Sequence, residues 1–183
     1  MYGAVCSRRA LMGQGQAQPL QCFAMSREWH FRKNMRLRGF DYAARRCYFV
    51  TIVALNRRPF FRNTSLADAT IDVLLNLRQN YRFNLYQYCL MPDHFHGLFG
   101  AGESGKDLGE ICGAFKSLSN SELWRFEDGK LWQKRFFDHI IRNEQDFWET
   151  VDYIRNNAVR KGLVKDWREW KWTGGPDLPD ELM

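Results

Sequence analysis

The spacing of apolar residues divides the chain into alternating strands and helices. The β-branched and aromatic run CYFVTIVAL, residues 47–55, predicts a buried strand. Apolar residues at helical spacing, with Ser65 as a candidate N-cap, then predict a helix that ends near Tyr81. Residues 83–90 and 94–100 predict two more strands joined by a tight turn.

The second half of the chain predicts helix, strand, helix. Apolar positions spaced as on one helix face cover the first of these. The aromatic segment LWQKRFFDHIIR, residues 131–142, predicts an extended strand. Asn143 and Asp146 form an N-cap pair for a last helix that runs to about Lys161, before Gly162. The apolar positions of the first helix in this second half are Leu108, Ile111, Phe115 and Leu118.

This order of elements predicts an α+β fold of the ferredoxin-like sandwich type, with a mostly antiparallel sheet and helices packed on one face. The 183 residues suffice for one core. Residues 1–24 have no hydrophobic period and are expected to be a disordered extension, with Met25 a candidate start. A single domain is expected over 25–175, followed by an acidic tail over 176–183.

Composition favours a soluble cytoplasmic protein. No apolar run is long enough to cross a bilayer. The five cysteines form no CxxC pair, which suits reduced thiols better than a disulfide framework.

Positive charge is concentrated near the start of the predicted domain. Residues 26–62 contain ten basic side chains and two acidic ones, against a formal net charge of +6 for the whole chain. Such a block indicates a polyanionic partner, although a charge run taken alone is more often a solvated surface.

His94 and His96 stand two apart on the third predicted strand. Side chains alternate along a strand, so both imidazoles leave the same face, where they could chelate a divalent cation. A lone HxH pair is a weak signal. A histidine-triad nucleotide hydrolase would need a third alternating histidine, but the next position holds Leu98.

Tyr153 and Asn157 share the more polar side of the last helix, because they are four residues apart. Taken singly, each is ordinary: a half-buried tyrosine with its hydroxyl in water and a solvated asparagine.

Three motifs together resemble a known family. MPDHFHGLF, residues 91–99, resembles the His-hydrophobe-His strand of the HUH single-strand nucleases. LWQKRFFDHIIRN, residues 131–143, and VDYIRNNAVRKGLV, residues 151–164, are similar to segments of REP-associated tyrosine transposases, relatives of the single-tyrosine insertion-sequence transposases. The resemblance covers about residues 36–173, and the motifs occur in the family's order.

The resemblance implies a role for each matching residue. His94 and His96 become ligands of Mg²⁺ or Mn²⁺, Tyr153 the nucleophile and Asn157 a third ligand. His139 matches a recurrent family histidine, and we interpret it as a supporting residue. The family's proline after the asparagine is replaced by Ala158, from which we expect a small change at the helix end and retained ligation.

The implied reaction is cleavage and rejoining of single-stranded DNA at hairpins through a 5′-phosphotyrosine. A metal would offset charge on the scissile phosphate. Tyrosinate, whose parent pKa is about 10, leaves more readily than a sugar alkoxide, so the step can be reversed without ATP. No P-loop motif or other nucleotide-cofactor motif is present. No general base for the tyrosine is evident.

Several residues are candidates for DNA contacts in a nucleoid-associated monomer or homodimer. Trp132 or Phe136 could stack a base, whereas Trp167, Trp170 and Trp172 are better explained as a packed lid. The candidate phosphate contacts are Arg45, Arg46, Lys134, Arg135, Arg142, Arg160 and Lys161.

Three alternatives remain open at this point. A domesticated protein could bind hairpins without cutting them. A replication initiator or relaxase would usually carry further domains, for which this chain has no room. A hydrolytic metalloenzyme with a small substrate would leave Tyr153 and the basic block unexplained.

Overall fold

A five-stranded antiparallel sheet forms the centre of the fold. The computed structural model describes residues 46–126 and 129–178. Within them the strand order is β4-β1-β3-β2-β5, and every neighbouring pair is antiparallel. The strands are β1 (Cys47–Val53), β2 (Asn84–Met91), β3 (His94–Gly100), β4 (Phe137–Ile140) and β5 (Thr173–Gly174).

Each longer helix begins at a side chain that accepts a backbone N–H. The sheet and its helices confirm the α+β prediction. The predicted Asn143 cap is also confirmed, because its side chain accepts from the N–H of Asp146. The first helix is capped by Asn63 and not by Ser65, because the Asn63 side chain lies three residues before the free N–H of Leu66. The helices are α1 (Thr64–Tyr81), α2 (Leu108–Leu123), α3 (Glu144–Arg155) and α4 (Asn157–Arg160).

Helices cover both faces of the sheet, so the prediction that all of them pack on one face is wrong. Val50 and Ile52 point towards the core shared with α1 and α2. Phe49, which directly precedes Val50 in the strand, points to the other side, where Val151 and Ile154 of α3 pack. This packing explains the almost continuous burial of β1. Neither face of a strand that is covered on both sides is exposed to solvent, so apolar and polar positions do not alternate along it.

The last helix is interrupted where the sequence predicted one continuous helix. At Asn156 the backbone has φ −87° and ψ 10°, and a short α4 begins at the next residue. Ala158 is therefore in the first turn of α4, a place where proline is tolerated because its N–H has no partner within the helix.

The C-terminal segment packs on the body of the protein. The Trp170 indole donates to the Leu90 carbonyl at 3.0 Å, and the Trp172 indole donates to Asp68 at 2.8 Å, as the packed-lid interpretation predicts. Asp177, from the predicted acidic tail, accepts from the Leu85 N–H at 2.6 Å and pairs with Arg78. The packed body therefore reaches beyond residue 175, while the predicted extension over 1–24 lies outside the described residues.

Two further expectations concern thiols and membranes. Cys47, Cys89 and Cys112 form no disulfide within the described residues, and burial raises the pKa of Cys89 to about 12. Among the described helices, none combines the length and apolarity that a membrane span requires.

Gly97 gives room to two aromatic rings on the face of β3 opposite the histidines. A Cβ at this position would lie 2.5 Å from Cε2 of Phe99 and 2.8 Å from Cε1 of Phe95. We expect Gly97→Ala to lower the free energy of unfolding by about 1–3 kcal/mol through overpacking, measured by urea denaturation. The matched control is Gly113→Ala in α2, where nothing lies within 4 Å of the added methyl and stability should hold or rise. Equal stability of the two variants would contradict the overpacking argument.

Candidate active site

The two histidines of β3 lie side by side on the sheet face that α3 covers. Their ring centroids are 4.6 Å apart, with planes at 80°. His96 is 4% exposed, and the side chain of His94 at the strand end is 12% exposed. The strand alternation therefore brings both imidazoles to one site, as predicted from their spacing.

Neighbouring side chains hold the Nδ1 atom of each imidazole. Thr51 Oγ1 lies 2.9 Å from Nδ1 of His96, across the β1–β3 pairing that makes the two residues direct neighbours. Asp93 Oδ1 lies 2.6 Å from Nδ1 of His94, and its other carboxylate oxygen accepts from Arg57 at 3.1 Å. Such outer partners fix the orientation of an imidazole.

The surroundings keep both histidines neutral. Burial lowers the pKa of His94, more than Asp93 raises it. Burial also lowers the pKa of His96 far below its ordinary value, and the neighbouring His94 and the positive charges of Arg160 and Lys161 lower it further. Burial alone would raise the pKa of Asp93, but His94 and Arg57 leave it below its ordinary value. An ionised Asp93 can only accept, so His94 donates through Nδ1 and keeps a lone pair on Nε2.

Tyr153 of α3 packs against His96. The two ring centroids are 5.6 Å apart with planes at 70°, and the Phe49 ring lies 5.7 Å from that of Tyr153, edge-on. Tyr153 is half-buried. The predicted nucleophile and the histidine pair are thus parts of one site.

Arg160 of α4 covers the tyrosine. Its guanidinium carbon lies 4.6 Å from the centroid of the Tyr153 ring, a cation–π geometry. The bend at Asn156 turns α4 so that Arg160 also acts electrostatically on His96. The sequence identified Arg160 only as one phosphate contact among several.

Asn157 is buried in the same bend. It is 4% exposed, and the adjacent Ala158 packs in the cluster that contains Cys89, the β2 partner of His96 in the sheet register. Its polar side chain is therefore inside the protein, on the same bend that carries Tyr153 and Arg160 on its two sides in sequence. In the part of the chain that the structure describes, no group of three or more His, Cys, Asp or Glu could hold a metal, so a third protein donor would have to be of another type, such as this amide.

His139 supports the position of α3. It lies on β4, and its Nε2 is 3.1 Å from Asp146 Oδ2, which also accepts the N–H of Arg142. Asp146 is in the first turn of α3. This contact agrees with the interpretation of His139 as a supporting residue.

The candidate DNA contacts are distributed unequally. Arg46 directly precedes β1, whose first residue pairs with Gly100 at the end of β3 that is far from His94. About six strand residues separate Arg46 from the histidine site, which corresponds to a distance of about 20 Å. Of the two residues predicted to stack a base, Trp132 is excluded, because it is 5% exposed, packs on Phe61 and Phe115, and donates to Ser119 at 2.8 Å. For the partly buried Phe136 the prediction stays open. Lys134, Arg135, Arg142, Arg160 and Lys161 are exposed, and Arg45 is outside the described residues.

Sequence reasoning did not identify the two side chains that orient the imidazoles. Asp93 could have been suspected, because a carboxylate directly precedes His94. Thr51 gave no signal, since only the strand register places it opposite His96.

Comparison with known proteins supplies the family. The sequence profile described as "Transposase IS200 like" matches residues 44–157, more than half of the chain. A Haemophilus influenzae protein provisionally named REP-associated tyrosine transposase is 27% identical over 169 residues, covering 75% of this chain and 93% of the relative. The REP-associated tyrosine transposase of Escherichia coli K12 is 25% identical over 126 residues, covering 69% and 74%.

A solved structure agrees with the sequence relatives. A REP-associated tyrosine transposase bound to a REP hairpin superposes with a TM-score of 0.62 at 25% identity, covering 70% of this chain and 75% of the other. With the matched profile, this shows that the chain belongs to the IS200-like transposase family of enzymes, among the REP-associated tyrosine transposases.

Proposed function

We propose that this transposase is a metal-dependent endonuclease and strand transferase that acts on single-stranded DNA carrying hairpins, through a 5′-phosphotyrosine at Tyr153. The observation that carries the proposal is the packing of Tyr153 against His96 under the guanidinium of Arg160. A hairpin substrate is supported by the solved relative, which is bound to a REP hairpin.

The site offers two imidazole nitrogens and one amide oxygen to a divalent ion, which we propose is Mg²⁺ or Mn²⁺. His94 and His96 would bind it through Nε2, because Thr51 and Asp93 engage Nδ1 in the two rings. Both imidazoles are neutral, as metal ligation requires, and the buried Asn157 amide would be the third protein donor. A bound divalent ion would supply positive charge to the oxygens of the scissile phosphate.

The side chains around this position would carry the transfer itself. Tyr153 Oη attacks phosphorus, forming the tyrosine–phosphate bond while the bond to the 3′ oxygen breaks and that oxygen leaves as a hydroxyl. Rejoining reverses the step: a 3′-hydroxyl attacks and tyrosine leaves. Arg160, at 4.6 Å from the Tyr153 ring, would stabilise negative charge on the phosphate and on the departing phenolate.

The test is incubation of the protein with labelled hairpins that carry single-stranded flanks, in Mg²⁺ or Mn²⁺. The expected product is a covalent protein–DNA adduct with a free 3′-hydroxyl on the released strand. A protein that binds these hairpins tightly yet forms no adduct with either metal would instead be a domesticated binding module.

Binding should weaken steeply with salt, because phosphate contacts release counterions. The logarithm of affinity should fall linearly with the logarithm of salt, with a slope of about 0.7 per contact on single strands. Arg135→Ala or Arg142→Ala should flatten that slope with a similar loss for all sequences, in titrations between low and moderate salt. The matched control is Arg125→Ala, whose guanidinium pairs with Glu122 at 2.8 Å. An affinity that does not change with salt would contradict a role for these arginines.

A further inference from the structure

A groove with apolar and basic side chains in its lining lies on the α2 side of the fold, separate from the histidine pair. Its volume is about 730 Å³, and Lys116, Ser117, Asn120, Trp124, Lys130 and Lys134 are among the residues that line it. We call it the α2 groove. Neither the family profile nor the predicted reaction assigns it a role.

Trp124 presents an aromatic surface to solvent at this groove. It is 63% exposed, which is unusual for a tryptophan that the fold does not need for its core. Its Nε1 donates to the carbonyl of Gly129 at 3.2 Å, so the ring is held in place by a backbone contact. Asn120 fixes the same turn by accepting the N–H of Leu131 at 2.7 Å. An indole that is both exposed and fixed is suited to stacking on a planar ligand.

The charged side chains of the groove are basic. Lys130 and Lys134 are exposed and form no salt bridge within the described residues, and no acid is among the described residues that line the groove. Lys116 has a different role, because its ammonium donates to the carbonyls of Gln133 and Lys134 at 2.6 and 2.9 Å. Two available ammonium groups beside an indole match the phosphate and the base of a nucleotide.

Backbone contacts connect the groove to the end of the sheet where the histidines lie. Leu131, next to Lys130, accepts the N–H of Leu55 at 2.8 Å. The adjacent Ala54 donates its N–H to the backbone carbonyl of Asp93, whose side chain contacts His94. A strand that passes the histidine site could therefore continue over this edge into the groove.

We propose that the α2 groove binds an unpaired nucleotide of the single-stranded DNA that flanks the scissile phosphate, with the base on Trp124 and phosphate at Lys130 and Lys134. Because the face of a base is open only outside a duplex stack, the ligand is a single-stranded flank and not the hairpin stem. This inference rests on the proposed function, since it assumes that the substrate is single-stranded DNA.

Binding measured in a Tyr153→Phe background tests the groove without cleavage. The probes are one hairpin with single-stranded flanks and the same hairpin with none. Trp124→Ala should weaken binding of the flanked hairpin about fivefold or more, the loss of one base–aromatic stack, and leave the flankless hairpin unchanged. Trp124→Phe should retain most of the affinity. Leu118→Ala, at another exposed apolar residue of α2 that does not line the groove, is the matched control and should have no effect.

Photocrosslinking locates the contact directly. With 5-iododeoxyuridine placed at successive flank positions, one position should crosslink to Trp124, and this crosslink should disappear in Trp124→Ala. An equal loss for both probes, no loss for either, or crosslinks that map elsewhere would each overturn the proposal. These results are independent of the adduct assay, so failure of the groove and failure of the tyrosine chemistry are distinguishable.

Discussion

Replacing Tyr153 by phenylalanine is expected to abolish the covalent protein–DNA adduct and strand cleavage completely, while hairpin binding persists. The ring that packs on Phe49 and His96 is retained, so the fold should lose about 1 kcal/mol or less. The attacking oxygen is absent, so no alternative protonation or metal can restore the reaction. A denaturing gel measures the loss of the adduct, and fluorescence anisotropy measures the retained affinity for the hairpin.

The matched control is Tyr86→Phe. Tyr86 lies on the same face of the sheet, packs on Phe147 and accepts from the Asn84 amide at 3.0 Å. The substitution therefore removes a tyrosine hydroxyl from the same face of the sheet but away from the histidines. Its adduct yield should equal that of the unmodified protein. If Tyr153→Phe still forms the adduct, another side chain is the nucleophile and the role given to α3 is wrong.

The hydrophobic pattern was sufficient for the four longer strands, the three longer helices and the fold class. It did not predict the two-residue β5 or the side on which the last helix packs. Strand β1 reads CYFVTIV without polar alternation, and that continuity is itself the signal of a strand buried on both faces. It was interpreted only as burial. The α3 stripe of Val151 and Ile154 gives no direction, because either face of the sheet offers apolar partners.

The site was predictable where it depends on local periodicity and unpredictable where it depends on register. His94 and His96 share a face by strand alternation alone. Thr51 becomes the partner of His96 only through the β1–β3 pairing, which the sequence does not specify. Arg160 reaches Tyr153 because the helix bends at Asn156, whereas a continuous helix would have been expected from the spacing.

The two tryptophans of the 124–132 region show the same limit. Trp132 and Trp124 are both tryptophans close to basic residues in sequence. Trp132 enters the core because Ala54 pairs with it as an isolated bridge beyond β1, whereas Trp124 follows the end of α2 and is left in solvent. Only the tertiary fold distinguishes the packing residue from the one that could contact a ligand.

Replacing His94 by alanine is expected to reduce cleavage to background through a different cause from Tyr153→Phe. His94 is preferred over His96 for this test, because His96 is almost fully buried and its removal would leave a cavity and an unpaired Thr51. The variant keeps Tyr153 and Arg160, so hairpin binding should remain. Added Mn²⁺ should restore part of the activity, since the remaining donors would still hold a metal at high concentration.

Asp93→Asn provides the graded comparison that separates metal binding from simple loss of packing. It keeps the His94 imidazole but replaces the carboxylate that accepts from Nδ1 at 2.6 Å, so metal affinity and cleavage should fall by about 10–100-fold, less than in His94→Ala. Arg57→Ala removes only the outer, exposed partner of Asp93 and should have a smaller effect than either. Metal affinity measured by calorimetry should follow the same order as cleavage. If all three variants cut DNA normally, or if cleavage falls while metal affinity stays constant, then His94 does not act as a metal ligand and the charge on the scissile phosphate must be offset by the arginines and lysines alone.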